Sequence, residues 1–294
     1  MKLAFATCED KSQLTADDRA LARRLGELGV EVLPLVWSDP DSLKNAFTCN
    51  GVLIRTVWDY HLRINEFCLW LNQLEAAGVR IFNSPKTIRW NLDKVYLNEI
   101  SAAGIPCVPT LFLSQAVPNE EARRDLNARS WKEIVIKPTI SAGSYLTHRM
   151  HSLSSEFENK LTEIQQHSPV MVQPYLQEIE GRGEVSLIYF NHQQLQFSHA
   201  INKLPRKDEF RVQDDFGGYE VPMSVSPELL RLADDCLKLV PGDWLLARVD
   251  ILDWSTSPVL SEIELIEPDL FLRHHPQSVI HFASLLNKTI NRTL

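Results

Sequence analysis

Residues 261 to 269 have the sequence Ser261-Glu262-Ile263-Glu264-Leu265-Ile266-Glu267-Pro268-Asp269, which places four carboxylates within nine residues. Asp and Glu side chains are almost never fully buried unless a partner compensates their charge. The residues on either side, Leu260 and Leu270, are apolar and typical of a core. The alternation of charged and apolar residues predicts a strand with one buried face and one face that carries carboxylates.

A second strand places further charges opposite this one. In residues 247–251, Arg248 and Asp250 are two apart and therefore share a strand face. The turn-like residues 253–258 predict that the two strands form an antiparallel hairpin. One face of the hairpin would then hold Asp250, Glu262 and Glu264 beside Arg248.

This group of carboxylates has two interpretations. Three carboxylates so close repel one another unless a cation lies among them, and oxygen ligands without histidine or cysteine suit Mg²⁺ or Mn²⁺. Mg²⁺ usually takes one or two protein carboxylates and completes its coordination with water and phosphate oxygens, so one or two ions are expected. The same alternation is typical of an antiparallel sheet with one solvated face. The two strands alone leave both interpretations open.

Composition narrows the possible functions. The chain has 294 residues, of which 44% are apolar and 23% charged, and this predicts a globular protein of two or three domains. Its net charge of -8 argues against general binding to nucleic acid or to an anionic membrane. The five cysteines are scattered without a Cys-x-x-Cys pair, which favours a reducing compartment and gives no sign of a zinc site. The first apolar run is too short for a signal peptide and no segment is long enough to span a membrane, so we expect a cytoplasmic protein.

The order of predicted elements changes once along the chain. Up to about residue 82, strands alternate with helices, which is typical of a doubly wound parallel sheet. One of these helices is predicted to be capped by Thr15 and to end at Gly29. After about residue 105 the pattern is that of α+β units, with a polar loop at residues 203–218. We predict an α/β domain at 1–92, a central lobe at 93–175, and a C-terminal lobe with the metal site at 176–294.

Two lysines lie in settings that suit phosphate binding. Lys137 ends the β-branched run Ile134-Val135-Ile136, and a small-residue turn at 139–144 follows, whose backbone N–H groups would approach phosphates closely. Lys94 lies near a predicted helix start, where a cation is disfavoured unless it has an anionic partner. Taken alone, each lysine is more simply a surface side chain.

A strand that runs into a proline suggests a nucleotide-binding hinge. Residues 170–176 form such a segment, and Glu184 follows shortly after it. The exposed backbone of a hinge can contact an adenine edge, and Glu184 can accept hydrogen bonds from ribose hydroxyls. An ordinary loop between strands is the alternative.

Together these motifs resemble the ATP-grasp superfamily of ligases over roughly residues 80–272. The first nucleotide-binding lysine matches Lys94, and the second lysine with its mobile phosphate-covering loop matches Lys137 and the turn that holds Ser141, Gly143 and Ser144. The adenine hinge matches Gln173, Pro174, Tyr175 and Leu176, although many members have Glu where Gln173 stands. Glu184 matches the acid that binds the ribose, and Arg211 matches the arginine that contacts the transferred phosphate. Arg248 matches the arginine that binds the substrate. The metal ligands match Asp250, Glu262 and Glu264, with Glu264 in place of the usual Asn.

Within the superfamily the chain resembles the O-ureidoserine cyclo-ligases of D-cycloserine biosynthesis. The shared segments are residues 55–60, 88–94, 172–175, 197–201 and 262–268. This resemblance extends over nearly the whole chain and makes a set of polar and aromatic residues candidates for binding an amino acid: Arg55, Trp58, Asp59, Tyr60, Arg89, Glu267 and Arg273. A packing cluster at the end of a strand explains residues 58–60 equally well.

The resemblance implies an ATP- and Mg²⁺-dependent ligase. Such an enzyme activates the carboxylate of a small amino-acid-like substrate as an acyl phosphate. An amine-type nucleophile, either of a second molecule or of the same molecule, then attacks the acyl phosphate. A homodimer is compatible with this resemblance. The alternatives are an ATP-grasp phosphotransferase or nucleotide-binding regulator without ligation, and a non-catalytic binding protein of the periplasmic type. The sequence does not identify the two substrates.

Overall fold

The computed structural model of the chain describes residues 1–253 and 256–291. The first third of the chain forms a parallel sheet with the strand order β2-β1-β3-β4. Its strands are β1 (Lys2–Thr7), β2 (Glu31–Val36), β3 (Val52–Thr56) and β4 (Ile81–Phe82). The helices of this region are α1 (Ala16–Glu27), α2 (Ser42–Ala46) and α3 (Ile64–Ala76), with 3₁₀ helices at Glu9–Lys11 and Tyr60–Arg63.

The second sheet is antiparallel and has the order β5-β8-β6-β7. Two helices, α4 (Pro85–Asn91) and α5 (Tyr96–Ala102), precede it. Its strands are β5 (Leu111–Leu113), β6 (Glu133–Pro138), β7 (His148–His151) and β8 (Val170–Pro174). The helices α6 (Asn119–Asn127) and α7 (Phe157–Gln165) pack against it, and the short helix α8 (Glu178–Arg182) follows.

The third sheet is antiparallel, with the order β11-β10-β9-β12-β13. Its strands are β9 (Glu184–His192), β10 (Gln194–Leu204), β11 (Tyr219–Met223), β12 (Leu246–Leu252) and β13 (Val259–Glu264). The helices are α9 (Pro227–Leu237) and α10 (Pro276–Asn291), with 3₁₀ helices at Asp214–Phe216 and Leu272–His274. Of the turn predicted between β12 and β13, residues 254 and 255 lie outside the described residues.

Alternation along β1 explains why both faces of the first sheet are covered. Leu3 and Phe5 belong to the core that α1 and α10 share, whereas Ala4 and Ala6 belong to the core beside α3. The predicted cap of α1 is present, since the Thr15 hydroxyl accepts a hydrogen bond from the Asp18 N–H at 3.2 Å. The predicted organisation, a doubly wound α/β region followed by α+β units, is confirmed.

The polar loop predicted at residues 203–218 is shorter than expected. Strand β10 continues through Leu204, so Lys203 belongs to the sheet. Strand β11 follows that loop and escaped prediction because it contains Pro222 and is largely exposed. Proline is tolerated there because β11 is an edge strand, where a missing N–H leaves no neighbour unpaired.

Each of the three sheets lies within one of the three predicted domains, and the boundaries at 92/93 and 175/176 stay a prediction. Helix α10 packs against α1 and β9, so the last helix of the described residues contacts the first sheet region and the third sheet. Among the residues that the structure describes, no helix is both long enough and apolar enough to cross a membrane.

Side chains from the segment between the first two sheets occupy the outer edge of β13. The Asn91 amide donates to the Ile263 carbonyl at 2.7 Å and accepts from the Leu265 N–H at 2.8 Å. The Tyr96 hydroxyl also contacts Ile263, at 2.9 Å from its carbonyl oxygen and 2.8 Å from its nitrogen. Asn83 makes similar bonds to the Leu265 carbonyl and to residues 245–246 of β12 and the segment before it. These bonds fix the carboxylate-bearing strand against the rest of the protein.

We predict that Asn91→Leu lowers the free energy of unfolding by about 1–3 kcal/mol, because it leaves buried backbone groups of β13 without a partner. Urea denaturation followed by circular dichroism measures this change. Asn98→Leu is the matched control, since Asn98 is exposed on the next helix. Equal losses in the two variants would show that the Asn91 bonds do not stabilise the strand.

Candidate active site

Charged side chains from several parts of the chain meet on one face of the third sheet. Arg248 lies opposite Glu264, and Asp250 lies opposite Glu262, as the antiparallel register of β12 and β13 requires. Further charges come from β9, β10 and the segment before α5. We call this group the charged floor, and it consists of Lys94, Glu184, Lys203, Arg248, Asp250, Glu262 and Glu264.

Asp250 is the most completely compensated carboxylate of the charged floor. Arg248 donates to it from Nε at 3.0 Å and from Nη2 at 2.9 Å, and the Lys203 ammonium lies at 3.1 Å. The Ser186 hydroxyl donates to it at 2.5 Å. Burial alone would raise the pKa of Asp250, but Arg248 and Lys203 bring that pKa well below its usual range. The carboxylate therefore stays ionised, with both of its oxygens already occupied.

Lys203 is a central cation that the sequence analysis missed. It is 5% exposed, and its ammonium bridges Glu184 at 2.7 Å and Asp250 at 3.1 Å. The error followed from placing residue 203 in a loop. The available signal was that Lys203 continues the strand face of Ile201, which predicts an inward-facing lysine.

The remaining carboxylates of the charged floor are less firmly held. Glu262 lies 3.1 Å from the Lys94 ammonium, which also donates to the Ser141 carbonyl at 2.7 Å. Glu264 contacts the Arg248 guanidinium. Burial raises the pKa of Glu264 to about 7, and Asp250 and Glu262 add to this effect while Arg248 opposes it.

The carboxylates only partly fit the predicted metal site. Among the described residues, no three Asp, Glu, His or Cys side chains are arranged to share one ion. Asp250 has no free oxygen, so its predicted role as a ligand does not agree with its contacts. The side chains of Glu262 and Glu264 are 24% and 22% exposed and each has one cationic partner. Because Mg²⁺ needs only one or two carboxylates when phosphate oxygens complete its shell, this pair fits such an ion.

An open cleft between the second and third sheets lies beside the charged floor. Lys137 of β6 and the end of β8 line one side, and Glu184 of β9 and the loop after β10 line the other. The predicted nucleotide residues that line the cleft are Lys137, Ser144, Gln173, Pro174, Tyr175, Leu176, Glu184 and Arg211. Residues more than 70 positions apart in the sequence thus line one cleft, which is open to solvent.

Lys137 differs from Lys94 and Lys203 in having an open ammonium group. Within residues 1–253 and 256–291, no carboxylate oxygen lies within 4.0 Å of it, although the other two lysines are paired. Burial lowers the pKa of Lys137, and the nearby Glu262 opposes this shift. An anion in the cleft would therefore find one lysine available without breaking an ion pair.

The turn after Lys137 is tight and has open space beside Gly143, as expected of a loop that covers phosphates. Gly143 and Ser144 both have a positive φ of 59°, and a side chain added at Gly143 would meet only open space. Ser141 is buried, and its carbonyl oxygen accepts from Lys94, so that residue anchors the loop instead of lining the cleft. The anchored residue Ser141 and the open position Gly143 are two residues apart.

Two aromatic side chains meet across the outer end of the cleft. Tyr175, at the end of β8, forms an edge contact with Phe210 at 6.1 Å between ring centroids. Arg211 beside Phe210 is held by Glu209 at 2.7 Å and lies over the Phe216 ring. The Gln173 amide donates to the Thr110 hydroxyl at 2.9 Å, so this side chain already has a partner within the protein.

Glu267 lies at the end of the charged floor nearest the first sheet. It is 8% exposed, and burial, followed by Glu264, raises its pKa well above the usual range. Tyr60 is buried in the core of the first sheet against Phe67, and burial, followed by Glu267, raises the pKa of its phenol well above the usual range.

Two other predicted substrate residues bind the backbone next to Glu267. Trp58 donates from Nε1 to the Glu267 carbonyl at 3.1 Å, and Arg55 donates to the Pro268 carbonyl at 3.1 Å. Arg55 is 2% exposed and forms an ion pair with Asp18 at 2.7 Å. Its guanidinium is therefore committed inside the protein, which corrects the expectation that it contacts substrate.

The last three predicted substrate residues have partners away from the cleft. Asp59 accepts from Trp37 at 2.7 Å and from Arg63 at 3.0 Å. Arg89 is exposed and contacts Asn72 and Glu75 on the outer surface of α3. Arg273 forms ion pairs with three carboxylates, those of Asp17, Glu220 and Asp269. Closeness in sequence to a predicted site residue therefore did not predict that a charged side chain lies in the site.

Comparison with known protein families divides the chain in two. The family described as the prokaryotic glutathione synthetase ATP-grasp domain matches residues 108–271. The family described as the N-terminal domain of D-cycloserine synthetase DcsG matches residues 3–83. The cycloserine biosynthesis protein DcsG of Streptomyces lavendulae is 29% identical over 254 residues, which cover 80% of this chain and 82% of that protein.

Solved structures show the same fold. The crystal structure of D-cycloserine synthetase DcsG has a TM-score of 0.88 at 24% identity and covers 99% of this chain and 100% of its own. The D-alanine–D-alanine ligase of Bacillus anthracis in complex with ATP has a TM-score of 0.73 at 17% identity, covering 100% of this chain and 97% of its own. The predicted ATP-grasp fold and the predicted resemblance are confirmed.

We predict that Lys203→Met lowers the free energy of unfolding by about 3–5 kcal/mol, because it leaves two buried carboxylates without their shared cation. Thermal and urea denaturation measure the change. Lys238→Met is the control, since Lys238 is exposed and pairs with the exposed Asp235, and we expect it to have no measurable effect. Similar stabilities of the two variants would contradict a central role for Lys203.

Proposed function

This chain belongs to the ATP-grasp family of the prokaryotic glutathione synthetase type, and on that premise we propose that it is an ADP-forming ligase for a small amino-acid-like substrate. The reaction would transfer the γ-phosphate of ATP to the substrate carboxylate, and an amine-type nucleophile would then displace phosphate from the acyl phosphate. The observation that carries the proposal is the charged floor beside the open cleft, where lysines from separate lobes meet carboxylates able to hold a divalent ion.

The cleft residues suggest how ATP would lie. The hinge at residues 173–176 would receive the adenine, and Glu184, which lines the same cleft, would accept hydrogen bonds from the ribose hydroxyls. Lys137 and Lys94 would bind phosphate oxygens, with the loop around Gly143 closing over them. Positioning and charge stabilisation are the main contributions that a protein makes to phosphoryl transfer.

Glu262 and Glu264 would hold one or two Mg²⁺ ions together with the phosphates. When bound, the ion neutralises charge on the phosphates of the nucleotide. The paired side chains around Asp250 would then serve to orient Arg248, which stabilises negative charge on the substrate carboxylate. Arg211 would bind the phosphate in transfer, which requires it to leave Glu209.

The names of the similar proteins point to substrates of amino acid size. One is called a D-cycloserine synthetase and another a D-alanine–D-alanine ligase. We propose the same size class for this chain, with either cyclisation of one molecule or joining of two as the outcome. A cytoplasmic location and a homodimer stay predictions.

An ADP-release assay over a panel of L- and D-amino acids with Mg²⁺-ATP tests the ligase. We expect ADP release to depend on one or a few amino acids, and mass spectrometry to find a product lacking one water relative to its precursors. ADP release with a phosphorylated product would favour the phosphotransferase instead. ATP binding without amino-acid-dependent turnover would favour a regulator and would overturn the proposal.

We predict that Glu262→Gln lowers the rate of ADP release about 100-fold or more, because it removes a metal-binding oxygen. Glu228→Gln is the control, since Glu228 is exposed in the first turn of α9. The rate is measured at saturating ATP and Mg²⁺, with circular dichroism to show that both variants are folded. Turnover at the normal rate in Glu262→Gln would refute the metal assignment.

We predict that Lys137→Ala weakens binding of a non-hydrolysable ATP analogue roughly 10- to 100-fold, since charge-assisted hydrogen bonds contribute about 1.5–3 kcal/mol. Isothermal titration calorimetry gives the dissociation constant. Lys132→Ala is the matched control, because Lys132 is exposed just before the same strand. An unchanged dissociation constant in Lys137→Ala would overturn its role.

A further inference from the structure

Four consecutive backbone carbonyls, those of residues 267–270, each accept a hydrogen bond from a different side chain. We call residues 267–270 the anchored segment. The four bonds are Trp58 Nε1 to the Glu267 oxygen at 3.1 Å, Arg55 Nη1 to the Pro268 oxygen at 3.1 Å, Arg248 Nη1 to the Asp269 oxygen at 3.5 Å, and His199 Nε2 to the Leu270 oxygen at 2.9 Å.

The donors belong to rigid and separate elements. Arg55 lies on β3, Trp58 just after it, His199 on β10 and Arg248 on β12. Arg55, His199 and Arg248 are 2%, 6% and 8% exposed. A surface loop usually varies in conformation, whereas these bonds tie the anchored segment to two different sheets. These four bonds hold the anchored segment in one position relative to the charged floor.

His199 has the protonation state that its bond to the anchored segment needs. A carbonyl only accepts, so Nε2 carries the proton and Nδ1 of the neutral ring accepts from Ser278 or Ser198, each with its hydroxyl 3.0 Å away. The Nδ1 atom of His275 lies 2.6 Å from the Ser278 hydroxyl, and the two imidazole rings stack at 5.0 Å. Burial, with His275 adding to it, lowers the pKa of His199 to about 4, so the ring is neutral at neutral pH.

The anchored segment carries one carboxylate without a cationic partner. No nitrogen of a Lys, Arg or His within the described part of the chain lies within 4.0 Å of the Glu267 carboxylate oxygens, although the carboxylates of the charged floor are all paired. A buried carboxylate is costly unless a cation compensates it. Glu267 is therefore suited to a cation that the substrate brings.

Building on the proposed ligase function, we propose that Glu267 binds the primary ammonium group of the amino acid substrate, and that His199 is a positioning residue that fixes Glu267 through the Leu270 carbonyl. The substrate class is then an amino acid with a free amino group close to the carboxylate that is activated. Arg248 links the two ends of this arrangement, since it contacts both Glu264 and the Asp269 carbonyl. Leu270 is the member of the anchored segment furthest along the chain from Glu264, and His199 is not part of the charged floor, so this bond can be removed without altering a charged group there.

The test compares the most active amino acid of the panel with the same acid lacking its amino group, for example alanine with propionate or serine with 3-hydroxypropionate. In the wild type we expect the amino compound to be preferred roughly 10- to 100-fold in kcat/KM. Glu267→Gln should lose most of this preference while its dissociation constant for the ATP analogue stays unchanged. Equal use of the two compounds by the wild type would overturn the inference and leave the ligase standing.

His199 is tested by two variants that differ in their ability to donate. His199→Leu should raise KM for the amino acid about tenfold and reduce the preference, with the affinity for the ATP analogue unchanged, and His199→Gln should restore most of the loss because its amide can still donate to Leu270. The control is His151→Leu, since His151 is exposed on β7. Assays are run well below the thermal midpoint of every variant. A loss in His199→Leu that Gln does not rescue, or no loss at all, would refute the positioning role.

If no panel member releases ADP, the proposed function fails and this inference fails with it. If ADP release occurs but Glu267→Gln keeps the wild-type preference, only the ammonium assignment fails. The two failures are therefore separated by the same set of measurements.

Discussion

The structure depends on the compensation of buried carboxylates by cations from distant parts of the sequence. Asp250 is held by Arg248 two residues before it and by Lys203 from β10, and Lys203 also holds Glu184. An unpaired buried charge costs several kcal/mol. Removing one charged residue of this group therefore leaves its partner buried without a counter-charge. The charges on the third sheet are therefore paired only when its strands align in the correct register. The electrostatic constraint that prepares the site also specifies the fold around it.

The pairs differ in how readily a ligand can exchange for one of their members. Around Asp250 every oxygen is occupied by protein donors, whereas Glu262 and Glu264 are partly exposed and have one cationic partner each. Lys137 has an open ammonium group on the other wall of the cleft. The charges around Asp250 are thus fixed by the protein, whereas Glu262, Glu264 and Lys137 can exchange partners. This difference is expected of a site where charged ligands bind and leave in each cycle.

Local sequence patterns predicted the strands and the face of the charged hairpin, because a period of two residues determines which side chains share a face. The same patterns could not find partners that come from other strands, so Lys203 and the bond of His199 to Leu270 were missed. Proximity in sequence also misplaced Asp59 and Arg89, whose side chains have surface or local partners. Pairing across a sheet depends on tertiary packing, which alternation within one strand does not encode.

Strand β13 is an edge strand, and it carries the apolar residues that make an exposed edge a hazard for aggregation. Its outward backbone groups are already used: Pro106 and Val108 bond to Leu260, Tyr96 bonds to Ile263, and Asn91 bonds to both Ile263 and Leu265. Another chain that paired with this edge would have to displace side chains and backbone from an earlier part of the same protein. The segment that joins the first two sheets therefore also acts as a cover that prevents intermolecular strand addition at β13.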